Sequence, residues 1–75
     1  MARATTYKEL DEVRAPASLP EIGVRVGDRG VVVLEHERPE AAVEVEYADE
    51  TGRTRALVVY SPDLTKVFAV HPEKP

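Results

Sequence analysis

Ser61, Asp63 and His71 are the residue types of a nucleophilic triad, in which a hydroxyl attacks, an imidazole takes its proton and a carboxylate holds the imidazole. The local sequence gives each another use. Ser61-Pro62-Asp63 has turn composition, with a hydroxyl and a carboxylate that cap backbone amides, and His71 precedes Pro72 in a segment expected to fray. A triad also needs an oxyanion pocket, and a chain of 75 residues has little core with which to enclose one. We therefore expect no enzyme, no catalytic residue and no small-molecule substrate.

His36 stands between Glu35 and Glu37, a set that could ligate a metal only if the three converged. On a strand the imidazole points away from both carboxylates, so no metal site is expected there. Glu44, Glu46, Asp49 and Glu50 are hard-cation donors but lack the glycine-punctuated loop of dedicated calcium sites. The absence of cysteine removes disulfides, thiolate chemistry and the common zinc sites. No cofactor is expected, and the composition fits the cytoplasm. No apolar run approaches the roughly 18 residues of a membrane span, so no membrane partner is expected.

Phosphate recognition would draw on Arg25, Arg29, Arg53, Arg55 and Lys66, the basic groups that could share a face. The charge distribution opposes it. Residues 1–34 balance to zero, whereas 35–50 hold seven carboxylates against Arg38 alone. A surface of that sign repels a phosphate backbone and attracts basic partners, so a protein partner is favoured and nucleic acid is the alternative.

Twelve valines and one isoleucine, β-branched residues that suit pleated strands, indicate an all-β domain. Tyr7 to Val13 is read as a short first strand, followed by a long loop from Arg14 to Gly23 with Leu19 and Ile22 as anchors. Gly27 and Gly30 are expected to take positive φ in a tight turn, leading into a strand from Val31 to Glu37. Val43-Glu-Val-Glu-Tyr47 alternates strictly and is the clearest strand; Asp49 to Gly52 turns the chain and Thr54 to Tyr60 returns. A three-residue loop, Glu50-Thr51-Gly52 with Gly52 left-handed, would set Asp49 against Arg53 and face Val45 and Val43 with Leu57 and Val59. A two-residue loop would instead pair Glu46 with Arg55, but Glu and Thr resist the positive φ it needs; the loop chemistry favours the first register. Ser61 to Leu64 is read as a 3₁₀ turn before a last strand, Lys66 to Val70.

This layout is that of a small five-stranded SH3-like barrel with a long first loop, spanning residues 7–70, with a flexible N-terminus over 1–6 and a flexible tail over 71–75. Two strands, Val31-Val-Val-Leu34 and Leu57-Val-Val-Tyr60, are apolar on both faces, which exceeds what one small interior can absorb. Either the first loop covers the surplus or another chain does. We expect an interface for a protein partner or a second copy at Val32, Leu34, Val58 and Tyr60, flanked by Glu44 and Glu46.

Leu19-Pro-Glu-Ile-Gly-Val-Arg-Val-Gly-Asp-Arg-Gly-Val-Val-Val33, then Val43-Glu-Val-Glu-Tyr47, Asp49-Glu-Thr-Gly-Arg53 and the Ser-Pro-Asp turn, give the chain its likeness. Over about residues 7–70 it resembles a family of small bacterial proteins catalogued as a domain of unknown function, number four-nine-two-six. The resemblance implies an SH3-like barrel and assigns no activity, so it carries over no site residue. The Gly-Asp-Arg-Gly turn more distantly resembles the KOW motif of nucleic-acid modules, which are basic where this chain is acidic. The function expected is a non-catalytic interaction module, regulatory or toxin-neutralising.

Overall fold

The strict alternation of Val43 to Tyr47 organises the molecule. In the computed structural model, which describes residues 7–73, Val43, Val45 and Tyr47 are fully buried, while Glu44 and Glu46 are half-buried on the opposite side. The strand that holds them, β3 (Ala42–Ala48), is the middle strand of one antiparallel sheet. The others are β1 (Glu12–Arg14), β2 (Arg29–His36), β4 (Thr54–Tyr60) and β5 (Val67–Pro72). Neighbours in sequence are neighbours in the sheet, in the order β1-β2-β3-β4-β5.

β1 and β5 are therefore edges, and no pairing joins them among the described residues. The all-β architecture agrees with the sequence reading. The closed five-stranded barrel does not appear: the sheet is open, because the outer edges of β1 and β5 are not paired with each other among the described residues.

The inner face carries one cluster, from Val13 and Ala15 through Val32, Val45, Tyr47, Val58 and Tyr60 to Leu64. The long β1–β2 connection closes over it. Its base is tied by the Ala15 N–H to the Asp28 carbonyl at 2.7 Å and the Gly27 N–H to the Ala15 carbonyl at 2.8 Å. Inside the loop a 3₁₀ turn, Pro20–Ile22, buries Ile22 beside Val24, and Leu19 packs against them as the sequence indicated. Proline at its start fits the first helical position, and Gly23, with φ 71°, ends it in the left-handed region.

The expected 3₁₀ turn at Ser61 to Leu64 is a hydrogen-bonded turn of another kind. Asp63 draws both Ser61 and Thr65 onto one carboxylate oxygen, and Leu64 takes a φ of 65°. The first strand is also shorter than expected: a turn closed by the Asp11 N–H on the Lys8 carbonyl occupies 8–11 and leaves Glu12–Arg14 for β1. At the other end β5 continues through Pro72, and the Glu73 N–H donates to the Arg55 carbonyl at 3.0 Å, so 71 and 72 belong to the sheet. The segment 1–6 and residues 74–75 lie outside the described residues.

Gly30 has no positive φ; its need for glycine is steric. A Cβ there would lie 2.5 Å from Val45 Cγ1 and 2.8 Å from Tyr47 Cε1, because Gly30 pairs with Tyr47 and the inward side chains of β3 occupy the space beside it. Gly52 does take φ 88°, and the Asp49 N–H donates to the Arg53 carbonyl at 2.9 Å, which is the three-residue loop favoured above.

Candidate interaction face

The hairpin loop is as expected, yet the strand beyond it is turned over. Ala48 pairs with Thr54, but Tyr47 pairs with Ala56, which leaves Arg55 as an extra residue in β4. One inserted residue reverses every side chain that follows. Val45 consequently faces Val58 and Val43 faces Tyr60, while Leu57 and Val59 stand opposite Glu46 and Glu44. Similar insertions fall at Val33 in β2 and Phe68 in β5.

Three residues of the expected interface therefore belong to the core. Val32 and Val58 have no exposed surface and Tyr60 has 1%, so none of them can meet a partner. Leu34, moved to the other side by the insertion at Val33, is 40% exposed, and Glu44 and Glu46 lie on the outer face as expected. The residues that replace the misassigned ones are Val31, Leu57 and Val59, all partly exposed. Arg55, a basic residue just ahead of the apolar run Ala56 to Tyr60, was the available signal for the insertion.

The register arranges this face in rows across the strands. One runs Leu34, Glu44, Val59, Ala69; the next runs Glu12, Val31, Glu46, Leu57, His71. Acidic residues thus follow the middle strand with apolar residues on both sides. No described element packs over these rows, since the sheet has five strands, the first loop lies against the inner face and there is no helical layer.

Local contacts hold the two glutamates in place. Glu44 meets His36 Nε2 at 2.5 Å, and Glu46 accepts a hydrogen bond from the Thr54 hydroxyl across β3 and β4. His36 is therefore engaged by Glu44 across the β2–β3 pair, and no group of three potential metal ligands occurs among the described residues. At the hairpin, Asp49 Oδ1 accepts from the Thr51 hydroxyl at 2.7 Å, the Thr51 N–H at 2.9 Å and the Arg53 N–H at 3.1 Å. The Thr51 hydroxyl, then these backbone donors, hold the Asp49 carboxyl below the usual carboxylate range.

An open cleft of about 510 Å³ continues the face towards the hairpin, lined by Asp28, Arg29, Val31, Glu46, Glu50 and Arg55. A second, of about 320 Å³ and more apolar, lies between the first loop and the turn before β5, lined by Pro16, Leu19, Tyr60, Leu64 and Val67.

Ser61 Oγ donates to Asp63 at 2.9 Å and accepts from the Lys66 N–H at 2.9 Å, which is capping work. His71 pairs with Leu57, four residues along β5 from Val67, roughly 13 Å by strand rise, so no imidazole joins the Ser61–Asp63 pair.

A family model described as "Domain of unknown function (DUF4926)" matches residues 9–66. The chain belongs to that family. No curated protein and no solved structure matches it. The DUF4926 span takes in β1 through the Ser61 turn, so the two hairpins that build the acidic rows fall inside it and β5 lies beyond it.

The arginine set of this DUF4926 chain is not gathered into one patch. Arg55 is spent internally: its guanidinium donates to the Gly23 carbonyl at 3.0 Å and sits 3.6 Å from Asp28, stapling the first loop to β4. Arg29 and Arg53 are exposed towards the hairpin end, near Asp49 and Glu50, Arg25 is exposed in the first loop with its N–H on Asp28, and Lys66 follows the far end of β4. Among the described residues no helix is long and apolar enough to cross a membrane.

Proposed function

We propose that this chain is a non-catalytic protein-interaction module that docks through the outer face of β2, β3 and β4, acting in the cytoplasm in a regulatory or toxin-neutralising role. The observation that carries this reading is the uncovered row pattern: Val31, Leu34, Leu57 and Val59 remain partly in water on a face that no other described element covers. Leaving four such side chains wet forgoes burial worth about 25 cal/mol per Å². A docked partner recovers it.

We also infer an SH3-like layout opened between β1 and β5. It is supported by five meandering strands and by a long first loop tucked over the inner face.

Affinity capture from native lysate tests the docking role. A protein retained by the wild-type chain and lost by folded Leu57→Lys is the expected result; equal recovery on both would overturn the reading. Retarded migration of labelled duplex at moderate salt, abolished by reversing Arg29 and Arg53, would favour nucleic acid instead.

A further inference from the structure

The outer face discriminates between the occupants it could take. A second copy laid on it face to face would set Glu44 and Glu46 of one chain against the same carboxylates of the other. Like charges brought together out of water oppose association. The turns at both ends of β3 stay acidic on balance, with exposed Glu37 and Glu40 against Arg38 before it and exposed Asp49 and Glu50 against Arg53 after it.

Resting on the docking reading above, we propose that the occupant is a different polypeptide presenting a helix with a lysine or arginine stripe flanked by apolar residues. Glu44 and Glu46 are two residues apart on β3, roughly 7 Å by strand rise, and helix positions i and i+4 are about 6 Å apart along the axis, so two such cations meet both carboxylates. The apolar rows on β2 and β4 lie one strand to each side, about 10 Å apart in all, which is the width of a helix with its side chains. Leu34 and Val31 receive one flank, Val59 and Leu57 the other. His36 and Thr54 fix the two carboxylates from the sides, so little side-chain freedom is lost on binding.

The test pans a random 15-residue displayed peptide library on the immobilised chain. Affinities of the selected peptides are then measured by fluorescence anisotropy, and their footprints by amide shifts. The expected result is peptides with Lys or Arg at i and i+4 beside apolar residues, shifting Val31, Leu57 and Val59. Their binding should weaken about tenfold or more in Glu44→Gln/Glu46→Gln and on raising salt. Leu57→Lys, which breaks no side-chain hydrogen bond, is the second variant and should lose them as well.

Neutral or acidic selected peptides, or shifts confined to the cleft between Pro16 and Leu64, would overturn the proposal. Sedimentation separates the two readings. A wild-type dimer dissociated by Leu57→Lys overturns the basic-helix partner and keeps the docking face; a monomer whose peptides ignore Leu57→Lys overturns both.

Discussion

The Tyr47 and Tyr60 hydroxyls meet at 2.8 Å inside the core, one from β3 and one from β4. Each supplies the other with a partner where water is excluded. Tyr60→Phe leaves the Tyr47 hydroxyl buried alone and should cost about 1–2 kcal/mol. Tyr47→Phe/Tyr60→Phe removes both groups and should cost less than the two single changes together. Urea unfolding of the four proteins reads the coupling.

The same pair sets the alkaline limit. Burial, then the Tyr60 hydrogen bond, push the Tyr47 phenol far above its usual range, and burial pushes Tyr60 up as well. The folded chain therefore holds both protons more tightly than the unfolded one does. This stabilisation is complete below about pH 10 and falls above it, as the unfolded phenols ionise first. Unfolding midpoints measured from pH 8 to 11 should decline, and more gently in the double phenylalanine variant.

Asp63 governs the acid side. Hydrogen bonds from the Thr65 hydroxyl, the Ser61 hydroxyl and the Thr65 N–H bring its carboxyl down to about 2. A depressed folded value means stability that is present above the ordinary carboxylate pKa of about 4 and is lost as pH falls towards 2. Asp49 adds in the same direction. Asp63→Asn should flatten the decline of melting temperature between pH 4 and 2, and an unchanged slope would refute the assignment.

Gly30→Ala should destabilise by about 1–3 kcal/mol, because the added methyl would overlap Val45 and Tyr47 in a packed interior. Gly27 has open space around its Cβ direction, so Gly27→Ala should show only the smaller strain of φ 90°. Denaturant midpoints of the two variants rank them.

The inverted β4 register yields the sharpest contrast. Val58→Lys buries an unpaired ammonium at a site with no exposed surface and should cost more than about 3 kcal/mol, enough to unfold a domain of this size. Leu57→Lys and Val59→Lys should stay folded, within about 1 kcal/mol of wild type. Circular dichroism melts decide it.

What could be read from the sequence divides along the range of the forces involved. β3 and the Gly52 loop were legible because each rests on neighbours in the chain: alternating Val and Glu, and a glycine where φ must be positive. Leu19 and Ile22 were legible as anchors, since a long loop must bury something. Arg55 was not, because its place depends on the Gly23 carbonyl 32 residues away. That one residue decided whether Val58 or Val59 would be wet. The surplus of apolar side chains was thus visible from composition while the side it occupies was not. Closure of the sheet lies at still longer range, between β1 and β5, and the pairing leaves it open.

The extra residue at Arg55 also constrains length. Between the Gly52 loop and Ala56, losing or gaining a single residue would exchange inside for outside along the rest of β4, so tolerated changes there must come in even numbers. The 37–41 connection, lying outside the strands, is bound by no such parity. Engineered insertions should therefore be accepted singly on one side of β3 and only in pairs on the other.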